Sequence, residues 1–525
     1  MAAAPAGAGY DAIIIGAGHN GLVCAATLAR GGRSVLVLEA GAAVGGCAVT
    51  REFAPGFRVS AAAHLLHQMP AALIAELGLA AHGLEYAATA LPTTALDAGG
   101  EALEIGDLAA LGRRSAADAR AWPEFDARLR RFARLLHGLL AAPPPRLGTE
   151  AWSDKLALAT LGLRLRLLGR REMRELLRII GMNAYDLVSD EFESGLLRGA
   201  LGFDAVLGTN FGPRAPGTVL TMLYRLAAES AAGPQALAQP KGGMGALTQA
   251  LARAATAAGA TIRTSAPVAR IQVAADRAAG VVLESGEEIA GRAVISNADA
   301  KTTFLRLLGT EHLDTGFVRR VDHFRSRGVA AKLHLALDRL PTFADTTARA
   351  LGGRLLVAPS ADYVERAWNH SKYLEWSARP ALEITLPTVN DPGLAPAGRH
   401  VLSAIVQYAP YAPEGGWAAQ RQPFTDAVLG VLEAHAPGLR ASVLATELLT
   451  PADLEREFRM SGGHWHHGEL AFDQFYMVRP VPGAAQHATP LAGLYLCGAS
   501  CHPGGGVMGL AGRNAARRVL AEVAR

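Results

Sequence analysis

Three glycines, Gly16, Gly18 and Gly21, follow a short apolar run with the spacing GxGxxG. In such a turn the first glycine allows a sharp bend, the second lets the backbone approach a pyrophosphate, and the third lets the next helix pack on the strand. Glu39 ends a second apolar run, where an acid can accept a hydrogen bond from a ribose hydroxyl. The spacing therefore predicts a dinucleotide site at a helix N-terminus; the alternative is a glycine-rich helix start with no ligand.

A second glycine pair, Gly45-Gly46, follows Glu39 and is typical of FAD-binding chains. Disulfide reductases carry a redox cysteine pair in this region, but Cys47 is followed by AVTREFAPG, which contains no second cysteine. We therefore interpret Cys47 as a small residue beside the cofactor. The sequence shows no second strand–GxGxxG–helix pattern for a resident nicotinamide nucleotide, because PKGGMGAL at 240–247 lacks a preceding strand.

The C-terminal stretch GLYLCGASCHPGGGVMGLAGRNAARRVL, 493–520, predicts a short strand at 494–497, a glycine-proline loop, and a helix that begins near 505–507. A helix N-terminus aimed at the pyrimidine end of a flavin would stabilise the negative charge that develops there on reduction. The alternative is a glycine-rich loop of no special purpose. Taken together with the N-terminal glycines, the pattern favours a flavin site.

Together with PKGGMGALTQALARAATAAGATIRTSAPVARIQV and GRAVISNAD, these stretches resemble the phytoene desaturase family of FAD oxidoreductases. The tail HGELAFDQFYMVRPVPG is similar to a phytoene-dehydrogenase-like branch named for pyridine nucleotide-disulphide oxidoreductase domains, although the missing cysteine pair makes that label misleading. The resemblance extends over the whole chain and is most specific at its two ends. It implies FAD as the cofactor, and we expect it to be held without a covalent bond.

The resemblance also implies roles for individual residues. Those that match the family's cofactor contacts are Gly16, Gly18 and Gly21 for the pyrophosphate, Glu39 for the adenosine ribose, Gly45, Gly46 and Cys47 toward the ribitol, Val268 for adenine, and Gly498, Val507 and Met508 for the ribitol and flavin ring. Ala499 stands where many amine oxidase relatives have an acid, and this difference weighs modestly against amine oxidation.

These placements predict an α/β fold with an interleaved, discontinuous cofactor domain. Residues 1–90, 240–310 and 470–525 would form a Rossmann-type FAD-binding domain of the glutathione-reductase and amine-oxidase-like kind. Residues 91–239 would form a mainly helical substrate or lid region. Residues 311–469 would form an α+β substrate domain, because AKLHLALDRL and ALEITLPT alternate as strands do and HVLSAIVQYAP adds a further predicted strand, with helices covering the sheet.

Histidines are the main candidates for proton transfer. His502 precedes the C-terminal glycine loop, and we predict a catalytic role for it together with His467 and Tyr476, with His64 as a further pocket residue. A structural role is an equally good interpretation of each. His467 also belongs to the cluster GGHWHHGELAFDQ, which lacks a carboxylate or cysteine complement at metal-ligand spacing, so no metal site is predicted.

The composition limits the remaining choices. Of 525 residues, 50% are hydrophobic and 19% are charged, so the chain can bury a large core. The net charge of +4 and the lack of basic runs interleaved with aromatics give no indication of nucleic acid binding. Four cysteines in so long a chain favour a reducing, cytoplasmic setting over a disulfide framework. We find neither a convincing secretion signal nor a transmembrane run.

Two segments rich in leucine and arginine, RLRRFARLLHGLLAAPPP and LRLRLLGRREMRELLRII, leave three interpretations open. Basic amphipathic helices can lie on anionic lipid, which would give peripheral membrane contact. The sequence favours a solvated basic face on a packed helix, with glutamates paired to arginines. A contact within a homo-oligomer fits the pattern as well.

The function predicted from these features is that of an FAD-dependent dehydrogenase or desaturase. It would transfer a hydride from a C–H bond of a largely apolar small molecule to flavin N5. Oxygen, a quinone or another small acceptor would then reoxidise the flavin. Two alternatives remain at this stage: a flavin amine oxidase that oxidises C–N bonds, and a flavoprotein that acts as a non-catalytic interaction partner.

Overall fold

The computed structural model describes residues 9–232 and 237–523. Its helices are α1 His19–Arg30, α2 Ala71–Leu77, α3 Leu108–Arg114, α4 Ala116–Leu140, α5 Trp152–Leu167, α6 Gly169–Ile179, α7 Ala184–Glu191, α8 Gly195–Asp204, α9 Thr218–Ala232, α10 Met244–Ala257, α11 Thr315–Asp322, α12 Ala348–Leu351, α13 Ala361–Ser371, α14 Gly416–His435, α15 Pro451–Phe458 and α16 Leu510–Val523. Its strands are β1 Tyr10–Ile15, β2 Val35–Leu38, β3 Thr50–Ala54, β4 Phe57–Ser60, β5 Tyr86–Ala88, β6 Thr93–Ala95, β7 Leu103–Glu104, β8 Gln239–Pro240, β9 Thr261–Arg263, β10 Val268–Ala274, β11 Arg277–Leu283, β12 Glu288–Ser296, β13 Ala330–Leu337, β14 Arg354–Val357, β15 Ala381–Thr385, β16 His400–Gln407, β17 Val443–Leu449 and β18 Leu494–Leu496.

The first sheet has a parallel centre made from distant parts of the chain. β1 pairs with β2 on one side and with β12 on the other, β2 pairs with β9, and β12 pairs with β18, all in parallel. β2 is buried along its whole length, as expected for a parallel strand covered on both faces. β10 and β11 extend the sheet from β12 as antiparallel strands.

Different segments of the chain cover the two faces of this sheet. On one face α1, α10 and α16 bury a cluster that includes Leu22, Leu247 and Val519. On the other face, residues from the segment after β12 and from α11, such as Phe304 and Phe317, pack on the sheet. The arrangement confirms the predicted α/β fold with a Rossmann-type sheet.

The second sheet is mixed and has the order β17-β13-β16-β15-β14-β6-β7. β13, the stretch AAKLHLAL, is buried throughout and lies between β16 and β17, with antiparallel pairing to both. β14 pairs in parallel with β6, and β6 pairs with β7. Two strands from the segment predicted as mainly helical therefore belong to this sheet, and the boundaries of the three predicted units remain a prediction.

A layer of helices packs against the second sheet. In α4 the apolar side chains recur every three or four residues, which gives one continuous apolar face. The buried members of that face are Phe125, Leu129, Phe132, Leu136 and Leu140. They share a core cluster with residues of α8 and α9 and with Leu356 of β14. This shared core packs α8 and α9 against the second sheet.

The last helix begins later than the sequence predicts. The expected start is near 505–507, but α16 begins at Leu510. Gly504, Gly506 and Gly509 have φ angles of +128°, +115° and +71°, which an α-helix does not adopt. The glycines therefore extend the loop up to the helix. Among the helices in the described part of the chain, none is both long enough and apolar enough to cross a bilayer.

Substitution of Gly512 by alanine tests the close contact between α1 and α16. A methyl group at Gly512 would lie 2.0 Å from the Asn20 carbonyl oxygen, so we expect Gly512→Ala to lower the free energy of unfolding by about 1–3 kcal/mol. As a control, Gly162 has open space around its Cβ position within α5, so Gly162→Ala should be neutral or stabilise the protein by up to about 1 kcal/mol. Urea unfolding of both variants measures the difference. Equal stability of the two variants would show that α1 and α16 are free to move apart.

Candidate active site

The N-terminal glycine turn forms a cradle that side chains would fill. A Cβ at Gly21 would lie 2.2 Å from the Gly16 carbonyl oxygen, and a Cβ at Gly18 would lie 2.9 Å from Nδ2 of Asn297. Gly16 has a φ of +96°, a conformation that favours glycine. α1 begins directly after Gly18, so the N–H groups of its first turn face the space above the turn.

Glu39 fastens the loop beyond β2 to this turn. Its carboxylate accepts a hydrogen bond from Ala17 N–H at 2.7 Å and another from Gly41 N–H at 2.8 Å. A carboxylate has about four lone-pair sites, so two remain for a ligand hydroxyl. Glu39 therefore shapes the cradle and also presents an acceptor to it.

The second glycine pair closes the other side of the cradle. Gly45 has a φ of +127° and donates its N–H to the Ala17 carbonyl oxygen at 2.9 Å. A Cβ at Gly45 would lie 2.8 Å from Oγ1 of Thr248. The backbone at Gly45 and Gly46 therefore lies beside Gly18.

These residues line one cavity, called here the dinucleotide cavity. The predicted residues that line it are Gly16, Gly18, Glu39, Gly45, Gly46, Cys47, Val268 and His467. Gly21 supports its floor from within α1. Asn297, which the sequence did not single out, lines the same cavity and donates an Nδ2–H to the Gly16 carbonyl oxygen at 3.4 Å.

Another set of residues lines a second cavity, called here the substrate cavity. Four residues line both cavities and form their shared wall: His19, Cys47, His467 and Ala499. Much of the remaining wall is apolar and includes Ala48, Ala62, Ala63, Leu65, Leu207, Ile405, Leu470 and Val507. The two cavities meet at the shared wall, so a group held in one can face a group held in the other.

Another part of the substrate cavity is lined by an ionic network. His64, Asp204, Arg225 and Glu383 all face this cavity. Nε2 of His64 lies 2.8 Å from Oε1 of Glu383, and Nζ of Lys332 lies 2.7 Å from Nδ1 of the same histidine. With Lys332 as an ammonium, Nδ1 of His64 accepts and Nε2–H donates to Glu383.

Arg354 lies behind this wall and joins two carboxylates. Its guanidinium forms ion pairs with Asp204 at the end of α8 and with Glu383 on β15. Burial alone would raise the pKa of Glu383, but Arg354 and His64 outweigh it and hold that pKa well below its usual range. Burial lowers the pKa of Lys332 to about 7, so this amine is close to half-protonated at neutral pH.

The predicted catalytic residues lie in different parts of the structure. His467 lies in the shared wall, with a φ of +51° and with no hydrogen-bond partner for its buried Nδ1 among the described residues. Burial lowers its pKa to about 4. His502 and Tyr476 do not line either cavity: His502 donates from Nε2 to the Leu139 carbonyl oxygen at 3.0 Å, and its ring lies 5.5 Å from that of Tyr476.

The three C-terminal residues that were predicted to contact the cofactor also lie in different places. Val507 lines the substrate cavity, and Gly498 precedes Ala499 of the shared wall, with its Cβ position 2.6 Å from the Asn297 carbonyl oxygen. Met508 is buried in the helical layer instead, with its sulfur 3.8 Å from Oη of Tyr224. Met508 does not line either cavity, and the predicted contact of its backbone with the cofactor stays a prediction.

In the described parts of the chain the cysteines form no disulfide, and the clustered histidines are not arranged to hold a metal ion. The four cysteines are all free, and Cys47, whose pKa burial raises to about 12, is the cysteine that lines the cavities. Across residues 9–232 and 237–523, no group of three or more His, Cys, Asp and Glu side chains is arranged to hold a metal ion. His464 is fully buried and pairs with Glu469, its Nε2 lying 3.4 Å from Oε2 of that carboxylate.

Comparison with known proteins gives the family. A model of the family described as flavin containing amine oxidoreductase matches residues 21–520. The chain is 37% identical to pyridine nucleotide-disulfide oxidoreductase domain-containing protein 2 of Mus musculus, over 98% of this chain and 94% of that protein. It is 27% identical to one of the subunits of limonene dehydrogenase from Castellaniella defragrans, over 98% of this chain and 95% of that protein.

A solved structure shows the same fold. The crystal structure of an oxidoreductase from Methanosarcina mazei matches with a TM-score of 0.62 at 19% identity, covering 98% of this chain and 100% of that one. The glycine cradle, the two cavities that meet, and the family match are consistent with one another. The chain therefore belongs to the flavin containing amine oxidoreductase family, in the branch of the Mus musculus protein, and its cofactor is FAD.

Proposed function

We propose that this protein is an FAD-dependent dehydrogenase that removes a hydride from a C–H bond of a largely apolar substrate and delivers it to flavin N5. The observation that carries the proposal is the shared wall, where a large cavity with much apolar surface meets the dinucleotide cavity. The similarity to the limonene dehydrogenase polypeptide supports chemistry on a hydrocarbon skeleton. The resemblance to phytoene desaturases points the same way.

The residues of the dinucleotide cavity fit FAD. Its turn excludes side chains at Gly18, Gly21 and Gly45, which leaves backbone N–H groups to meet a pyrophosphate. We propose that Glu39 binds the adenosine ribose and that Val268, at the start of β10, contacts adenine. Cys47 keeps its thiol protonated, so we propose that FAD is held without a covalent bond to it.

The ionic network refines the kind of substrate. The charges of the network compensate one another, but Asp204, Arg225 and Glu383 line the substrate cavity and can also hydrogen-bond to a ligand. We propose a substrate with an apolar body and one polar group that hydrogen-bonds to this wall. Such a polar group would fix which C–H bond lies at the shared wall.

His467 is our candidate for the proton acceptor. Formation of a double bond releases a proton from the carbon next to the one that loses hydride. With a pKa lowered to about 4, the His467 imidazole is neutral at physiological pH and can accept that proton. Its position in the shared wall places it between the two cavities, whereas His502 and Tyr476 are outside them.

Amine oxidation is the competing hypothesis, and the ion pairs of the ionic network help to decide between the two. Two carboxylates reach the substrate cavity, as a site for an ammonium group would require. Both are already paired with Arg354, so an added ammonium group would meet carboxylates whose charge is compensated. This weighs against a cationic substrate.

The substrate class is tested by anaerobic mixing of the yellow holoprotein with three probes: limonene, dodecanoate and benzylamine. We expect loss of visible flavin absorbance with dodecanoate, whose apolar body carries one polar group, a smaller loss with limonene, which lacks a polar group, and none with benzylamine. The matched control is Arg214→Gln, which changes an exposed arginine outside the cavities and should leave all responses unchanged. Loss of absorbance with benzylamine alone would instead support an amine oxidase.

Glu39→Ala tests the proposed FAD contacts. The variant loses a charged acceptor, which costs about 1.5–3 kcal/mol and should weaken FAD retention roughly tenfold to a hundredfold. Flavin absorbance after dialysis measures retention, and circular dichroism checks that the chain stays folded. Glu284→Ala, at an exposed turn between β11 and β12, is the control and should retain FAD fully. Full retention by Glu39→Ala would remove Glu39 from the FAD site.

The source and destination of electrons give a further prediction. We expect that neither NADH nor NADPH reduces the flavin at catalytically useful rates, and that oxygen, a quinone or another small acceptor reoxidises it. The N-terminal glycine turn would be filled by FAD, while Cys47 has no second cysteine in either cavity among the described residues. Anaerobic stopped-flow mixing with each nucleotide measures the rate. Rapid reduction by either would identify a reductase or saturase.

A further inference from the structure

α5 carries large apolar side chains on its outer surface. Trp152, Leu156, Leu163 and Leu167 are 83%, 68%, 56% and 75% exposed. A surface helix normally turns such residues toward the core. In α5 the one buried residue is Asp154, which pairs with Arg146 and lies near Gln486. Asp154 and the half-buried Leu165, which packs against the core of the helical layer, hold α5 on the protein, while Trp152 and three leucines face outward.

The four residues form one stripe, called here the apolar stripe. At 100° per residue, positions 152, 156, 163 and 167 point within about 60° of one another, and they extend over about 22 Å of helix. Exposed Lys155 and Arg166 follow one side of the stripe, and exposed Arg164 follows the other. The outward face is therefore apolar along its centre and cationic on both flanks.

The chain's excess charge lies in the same region. Residues 146–178 hold eight Lys and Arg but four Asp and Glu, an excess equal to the +4 of the whole chain. Of the twelve exposed large apolar side chains among the described residues, six lie here, including Leu147 at 71% and Leu177 at 63%. Net positive charge and exposed apolar surface therefore coincide in one short segment.

We propose that α5 and the start of α6 form a docking surface for an anionic lipid bilayer. The apolar stripe would enter the boundary between headgroups and acyl chains, with Trp152 at the interface. Arg164, Arg166 and the exposed Arg170 and Arg171 would meet lipid phosphates. The proposal goes beyond the chemistry of the cavities and does not depend on it.

The charges argue against a second copy as the occupant. In a two-fold contact the same patch faces itself, so the cations that flank the stripe would meet cations. An anionic surface instead satisfies them while covering the leucines and the tryptophan. The solvated, packed helix favoured by sequence accounts for α6, where Glu172 and Glu175 pair with Arg131 and Arg178, but leaves the exposed stripe of α5 unexplained.

Vesicle flotation with the full-length holoprotein tests the docking surface. We expect the protein to float with vesicles of equal parts phosphatidylglycerol and phosphatidylcholine, less with phosphatidylcholine alone, and less as salt rises. Replacing Leu156, Leu163 and Leu167 together with Gln should weaken partitioning at least about tenfold. Replacing Arg164, Arg166 and Arg170 with Gln should reduce the preference for the anionic vesicles.

The control variant replaces Leu444, which is 53% exposed on β17 outside this surface, with Gln and should float like the parent protein. Flavin absorbance and thermal unfolding establish that each variant is folded, as expected for exposed positions. The proposal is overturned if the parent protein fails to float with the anionic vesicles or if the leucine variant floats equally well. A dimer that the leucine variant dissociates, without flotation of the parent protein, would assign the stripe to self-association.

Discussion

The buried guanidinium of Arg354 is the group on which the shape of the substrate cavity depends. It joins Asp204, at the end of a helix in the outer layer, to Glu383 on the adjacent strand of the second sheet. Glu383 then binds His64 from the segment after β4, and His64 binds Lys332 on β13. Loss of one member of such a network leaves a charge without compensation, which costs more than the pair itself contributes. The helical layer, the second sheet and the segment beside the cofactor therefore adopt one mutual geometry.

Burial determines the protonation of the histidines around the cavities. His19, His64 and His467 each have a pKa lowered to about 4, with burial as the largest cause in every case. These rings are therefore neutral donors and acceptors at physiological pH, and they add no cation to the cavity walls. Lys332, with a pKa of about 7, is the group of the network whose charge changes near neutrality. A wall that looks strongly basic in the sequence is thus close to neutral in the folded protein.

The glycine spacing and the apolar strands predicted the cofactor fold well because both act locally: a turn, a strand and a helix start are specified within a few residues. Apart from His64, the ionic network was not found from the sequence because its members come from six separate segments, although a charge inside an apolar strand, such as Lys332 in AAKLHLAL or Glu383 in ALEIT, was an available signal. The direction of the His502 side chain could not be predicted from the sequence for a different reason. Its place beside the glycine loop was correctly anticipated, but the direction of its side chain, toward Leu139, depends on tertiary packing.

β12 pairs with three strands, β11, β1 and β18, which places one piece of backbone at the meeting point of the whole first sheet. β1 and the part of β12 that it contacts are about 280 residues apart, since Tyr10 pairs with Gly291, and β18 follows almost 200 residues later. During synthesis β1 can pair with β2 soon after both are made, but its other backbone edge stays unpaired until β12 leaves the ribosome. FAD can therefore bind only late, after both β12 and β18 have been synthesised. Cleavage of the chain that separates β18 from β12 would remove the strand that leads to Ala499 in the shared wall.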